Sequence, residues 1–173
     1  IDDLGRVVVP KEIRRTLRIR EGDPMEIFTN RDGEVILKKY SPIGEIDAFA
    51  KQYAESLAAV SGCYVVISDR DQVIAVSGGV KKEYIGRRIS HELEEIMEQR
   101  RTVNTDTDNV KTITIIDGQD VSDMGQIIFP IICEGDVIGS VVLMSKTEKQ
   151  QVSDTEKKLV SVAADFLGRQ MES

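Results

Sequence analysis

Leu4-Gly5-Arg6-Val7-Val8-Val9-Pro10-Lys11-Glu12-Ile13-Arg14-Arg15-Thr16-Leu17 is the stretch whose reading organises the rest of the chain. Asp3-Leu4-Gly5 has the residues of a tight turn, and residues 6–9 have those of a β-branched strand. Pro10 suits the first position of a short helix, where its missing N–H costs nothing. At about 100° per residue, Lys11, Arg14, Arg15 and Arg18 then share one face of that helix, and Ile13 and Leu17 take the opposite one. One side is able to bury and the other to meet phosphates. The helix is expected to end near Gly22, with Pro24 just beyond it.

Outward from this helix, residues 25–30 and 34–40 read as two strands joined at Asp32-Gly33, a strong hairpin signal. A strand, helix, strand, strand unit of about forty residues seldom buries enough apolar surface alone. With no metal or disulfide at hand, a second copy of itself is its expected support. Ser41-Pro42-Ile43-Gly44 punctuates the last strand, so the first domain is assigned to residues 1–42.

Charge is divided unevenly. The chain of 173 residues carries a net −7, yet residues 1–20 hold six Lys and Arg against three Asp and Glu. The acidic total argues against indiscriminate coating of nucleic acid, while a local basic face suffices for a positioned contact. With 40% apolar and 31% charged residues the composition is that of a globular protein, and no apolar run reaches the ~18 residues of a membrane span. No membrane partner is expected. The chain shows neither an initiator Met nor an apolar leader, so a few residues are expected ahead of Ile1, with a truncated first strand. Cys63 and Cys133 are far apart without a CxxC and with a single His, which disfavours a zinc site or a disulfide framework. A reducing cytoplasm is the expected setting.

After the boundary, residues 43–60 are assigned as a linker helix, with Ile46, Phe49, Tyr53, Leu57 and Val60 forming one apolar stripe. Residues 61–173 are long enough to own a core. Strands are predicted over 63–68, 72–77, 111–116, 125–132 and 137–144. A helix opens at Ser90 with Leu93, Ile96 and Met97 inward. The capping box Ser153-Asp154-Thr155-Glu156 opens a last helix that is expected to bury Leu159, Val162, Ala163, Phe166 and Leu167. That order defines an α+β domain with a mostly antiparallel sheet flanked by terminal helices.

A search for chemistry finds little. His91 follows a helix cap amid Glu92, Glu94 and Glu95, the setting of a surface histidine rather than a general base. Gly78-Gly79 before Lys81-Lys82 lacks the spacing of a phosphate-cradling loop. Cys63 and Cys133 fall in apolar strands, where thiols usually pack inertly. No catalytic residue, metal ligand or cofactor is assigned, and the protein is read as not an enzyme.

Residues 4–14, followed by Gly22-Asp23 and a hairpin, resemble the swapped-hairpin DNA-binding domain of AbrB-type transition-state regulators. The resemblance implies an interlaced, β-rich dimeric barrel and DNA-contacting roles for Arg6, Arg14 and Arg15, with Lys11 beside them. The run from Phe129 to Leu143, with Glu134-Gly135-Asp136 at its turn, resembles the paired strands near the end of GAF domains. The whole chain is similar to AbrB-type regulators of late spore development that join these two domains. The similarity implies a sequence-specific activator and repressor of late sporulation genes, working at the nucleoid on double-stranded DNA. It also implies a homodimer through the first domains, a homotetramer through the terminal helices of the GAF-like domains, and an unidentified small-molecule ligand. Two other classes stand beside it: an antitoxin built on the same hairpin domain, and a GAF-type redox enzyme using Cys63 or Cys133.

Overall fold

The computed structural model describes residues 2–39, 47–118, 123–148 and 150–171. The chain forms two compact units, Ile1–Tyr40 and Ser41–Ser173. The predicted boundary at residues 41–44, and Ile46 of the predicted stripe, lie outside the described residues.

In the first unit, helix α1 (Lys11–Thr16) precedes strands β1 (Met25–Thr29) and β2 (Val35–Lys39). The strands pair antiparallel, with Ile27 opposite Leu37 and Phe28 opposite Ile36. Asn30 closes the turn, its side-chain oxygen accepting from the N–H groups of Asp32 (3.1 Å) and Glu34 (2.9 Å). Gly33 sits there at φ 82°, a conformation a side chain disfavours. Two expectations are corrected. Among the described residues, 6–9 belong to no ladder, with Val7 and Val8 exposed. The helix also stops at Thr16, well short of Gly22. Arg18 turns left-handed (φ 50°), so that Ile19 N donates to Arg14 O (2.8 Å) and Arg18 N to Arg15 O (3.3 Å), which satisfies the last carbonyls of the helix.

In the second unit, α2 (Asp47–Ser61) leads into β3 (Tyr64–Asp69) and β4 (Val73–Ser77), then α3 (His91–Glu98), β5 (Val103–Asn104) and α4 (Thr105–Asp108). The long hairpin β6 (Gln126–Cys133) and β7 (Asp136–Met144) and helix α5 (Asp154–Arg169) complete it. The five strands order as β4-β3-β7-β6-β5, each pair antiparallel. Both faces of this sheet are covered, which is why its strands read as unbroken apolar runs. On one face Val65, Ile67, Ile127 and Leu143 pack with Ala50 and Leu57 of α2 and Ala163 and Leu167 of α5. On the other, Val66, Ile128 and Val142 pack with Leu93, Ile96 and Met97 of α3 and with Ile115 and Ile116. Ser90 caps α3 as expected, its hydroxyl accepting from Leu93 N at 3.1 Å.

Two expectations for this unit are also corrected. Residues 111–116 form no strand beyond a single bridge between Ile116 and Ile89. The fully buried Gln126 takes the place of a partner strand there: its amide oxygen accepts from Ile113 N (2.8 Å) and its nitrogen donates to Ile113 O (3.0 Å). The sheet edge is instead the short β5. On α2 the predicted stripe divides along its length: Leu57 enters the core with Ala50, Ala54 and Ala58, whereas Phe49 and Val60 are exposed. On α5, Val162 is exposed and the inward face is Val160, Ala163, Ala164, Leu167 and Gly168. Small residues win both faces because they let the helices lie close against the sheet.

Candidate nucleic-acid interface

Arg6 ends a five-residue loop knitted by Asp2. Asp2 N donates to Arg6 O (3.0 Å) and Gly5 N to Asp2 O (2.9 Å), with Gly5 at φ 75°. The Asp2 carboxylate accepts from Leu4 N (3.0 Å) and Arg6 N (2.8 Å) through Oδ1, and from Arg6 Nε (2.6 Å) through Oδ2. The backbone N–H of Arg6, and after it the guanidinium, hold that carboxyl below its ordinary range. The Arg6 side chain is 71% exposed.

Helix α1 follows at once. Pro10 O accepts from Arg14 N at 3.0 Å, and Glu12 in the first turn complements the positive end of the helix dipole. Lys11, Arg14 and Arg15 are all exposed, and among the described residues none of the three meets an ion-pair partner. Their charges are uncompensated, as a surface for phosphates requires. Ile13 and Leu17, on the other face, are also about half exposed. Arg18, which the periodicity adds to the basic face, leaves it because the chain has already turned left-handed.

A buried charge pair ties the exit of α1 to the hairpin. Asp23 Oδ2 lies 3.1 Å from Lys39 Nζ and accepts from Arg20 N at 2.8 Å, while Lys39 Nζ donates to Arg18 O at 3.1 Å. The roles of Asp2, Asp23 and Lys39 were not legible by periodicity. The Asp2 and Arg6 spacing about a Gly turn was the one sequence signal for the first.

The whole first unit lacks an interior. Among residues 2–39 no apolar residue is buried, and nine large apolar side chains, from Leu4 to Ile36, are exposed. Paired residues of a hairpin share a face, so Ile27 and Leu37 lie on one side and Phe28 and Ile36 on the other. The hairpin is apolar on both.

In the second unit a groove runs between α2 and α5, lined by Phe49, Tyr53, Val60, Leu159, Val162 and Phe166. Tyr53 and Phe166 stack there, ring centroids 4.9 Å apart. Elsewhere in this unit the groups considered for chemistry sit in ordinary settings. His91 is exposed, near Glu94 (3.8 Å) and Glu95 (3.4 Å). Cys63 is buried, and burial pushes its thiol pKa up, away from the reactive thiolate. No helix among the described residues is long and apolar enough to cross a membrane.

Comparison with known proteins agrees with this geometry. The family described as stage V sporulation protein T C-terminal, transcription factor, matches residues 45–172. The family described as antidote-toxin recognition MazE, bacterial antitoxin, matches residues 1–45. The chain is 55% identical over 172 residues to stage V sporulation protein T of Bacillus subtilis (strain 168), covering 99% of this chain and 94% of that protein. It is 57% identical over 42 residues to the transition state regulatory protein AbrB of the same organism, covering 24% of this chain and 43% of that protein. The GAF domain from Acinetobacter phosphoenolpyruvate-protein phosphotransferase shares the fold, with a TM-score of 0.55 at 13% identity over 75% of this chain and 87% of that one. An AbrB-like basic unit followed by a GAF-like α+β domain defines a DNA-binding transcriptional regulator. Both the match to residues 45–172 and the full-length relative say which one: the chain belongs to the stage V sporulation protein T family of transcription factors. The antitoxin resemblance is confined to the first 45 residues.

Proposed function

We propose that two copies of this chain interlace their residues 1–42 into one barrel, and that Arg6, Lys11, Arg14 and Arg15 of both copies meet the duplex from its surface. The observation that carries this reading is the missing interior of residues 2–39, where a hairpin apolar on both faces accompanies α1 cations that meet no ion-pair partner among the described residues. A two-sided hairpin needs cover on both sides, and interlacing with a second hairpin supplies it at the same time as it doubles the basic surface. Residues 43–60 link this barrel to residues 61–173, whose exposed α2 and α5 groove packs against its counterpart and joins two dimers into a tetramer. The protein acts in the cytoplasm, at the nucleoid, as a binding protein and not as a catalyst. The GAF-like domain assembles the tetramer and takes a small-molecule signal.

Binding of the full-length protein to duplex DNA across a salt series tests the interface. Arg14→Ala or Arg15→Ala removes one phosphate contact per protomer, so log affinity against log salt should flatten by about two units per dimer. An unchanged slope in both variants would contradict the assignment.

A further inference from the structure

The cations of the first unit fall into two kinds. Among the described residues Lys11, Arg14 and Arg15 meet no ion-pair partner on their helix, whereas Arg6 is anchored through Nε to Asp2 Oδ2 at 2.6 Å, and Asp2 is itself held by the N–H groups of Leu4 and Arg6. An arginine whose charge is already matched releases few counterions on meeting a phosphate, so its value lies in geometry rather than in charge. With Nε occupied, the planar group presents its two terminal amino groups, Nη1 and Nη2, and among the described residues neither meets another acceptor. That end-on fork matches the spacing of two acceptors on one edge. In duplex DNA the guanine O6 and N7 pair is the base edge that offers this.

Resting on the reading of Arg6 as a DNA-contacting residue, we infer that Asp2 is a positioning residue that aims the Arg6 fork at a guanine edge, making the pair the base reader of a surface whose other cations bind phosphate. The carboxylate limits rotation of the guanidinium, so the ordering cost is met before DNA arrives. The side chain is exposed and the loop is short, as a group reaching into a groove requires.

The test uses full-length protein and two probes: a duplex recovered by the wild-type protein from a randomised pool, and a random-sequence duplex. Asp2→Asn keeps the oxygen that caps Leu4 and Arg6 N–H but turns an amide toward Nε. It should cost about tenfold on the recovered duplex and under about twofold on the random one, with a salt slope no shallower than that of the wild type, since the Arg6 charge is no longer matched. Replacing one guanine of each half-site by 7-deazaguanine, which lacks the N7 acceptor, should cost the wild-type protein a similar factor and cost Arg6→Lys nothing further. This second measurement needs no Asp2 variant, so it holds even if that variant disturbs the turn. Equal losses on both duplexes, no loss for Asp2→Asn, or an Arg6→Lys variant still sensitive to 7-deazaguanine at every guanine would overturn the inference. If Arg6→Ala binds both duplexes as the wild type does, the DNA-contact reading of Arg6 itself fails. If Arg6→Ala loses binding while Asp2→Asn does not, the positioning role alone fails.

Discussion

Ser68 and Ser140 face each other across the central strands β3 and β7, hydroxyl oxygens 2.7 Å apart and both side chains wholly buried. Each hydroxyl satisfies the other inside a mostly aliphatic sheet. Ser68→Ala should therefore leave the Ser140 oxygen buried with its partner gone and cost about 1–3 kcal/mol, whereas the double change Ser68→Ala with Ser140→Ala should be close to neutral. Urea unfolding of the three variants measures the coupling. Additive losses would show that the two hydroxyls act separately.

Gly168 in α5 lies against the Ile132 carbonyl of β6 so closely that a Cβ would overlap the oxygen. On an ordinary helix surface Gly→Ala gains about 1 kcal/mol. At this contact the backbone of β6 cannot yield as a side chain would, and Gly168→Ala should instead destabilise by about 1–3 kcal/mol. Thermal unfolding of the full chain gives the sign.

The groove between α2 and α5 yields a separate expectation. Val60 is 73% and Val162 62% exposed, so a charge at either position leaves the fold of one chain undisturbed. If the groove is the seam between dimers, Val162→Glu should convert a tetramer to dimers in sedimentation velocity, with secondary structure and unfolding of the chain close to wild type. DNA affinity should fall with it, because linked binding units add avidity. A tetramer that persists would place the seam elsewhere.

Acid sensitivity has a named contributor in the capping box of α5. Ser153 N donates to Glu156 Oε2 at 2.9 Å, the Ser153 hydroxyl donates to the same carboxylate, and Thr155 N donates to the Ser153 hydroxyl at 3.2 Å. The hydroxyl bond first, and the backbone N–H groups after it, hold the Glu156 carboxyl below its ordinary 4.5. A carboxyl lowered on folding stabilises above its unfolded value and loses that contribution as pH falls through the folded one. Glu156→Gln keeps a capping-box acceptor, so unfolding near neutral pH should change little, while the decline in stability below about pH 4.5 should be shallower than in the wild type. Parallel slopes for the two proteins would exclude Glu156 as a contributor.

Much of this was legible locally. The turn at Gly5, a helix opening after Pro10 and the hairpin at Asp32-Gly33 follow from residues adjacent in the chain, as do the caps at Ser90 and Ser153. Lys11, Arg14 and Arg15 land on one exposed helix face because a period of 3.6 residues needs no tertiary information. What failed was whatever depended on a partner distant in sequence. Periodicity marks Phe49, Tyr53, Leu57 and Val60 as one stripe of α2 without saying which part is buried, and the close approach of the helix to the sheet buries Leu57 with Ala50 and Ala54 and leaves Phe49 and Val60 exposed. Residues 111–116 carry the β-branched residues of a strand, but Gln126 satisfies the Ile113 backbone in place of a ladder.

The sequence by itself determined the division into a basic hairpin unit and an α+β domain, since charge sign, turn residues and apolar period are local properties. Only the tertiary structure decided which apolar face of each terminal helix is buried, where α1 stops, and that Asp23 grips Lys39. Those outcomes depend on how near one backbone comes to another and on which charges meet there, and neither distance is written in the order of the residues.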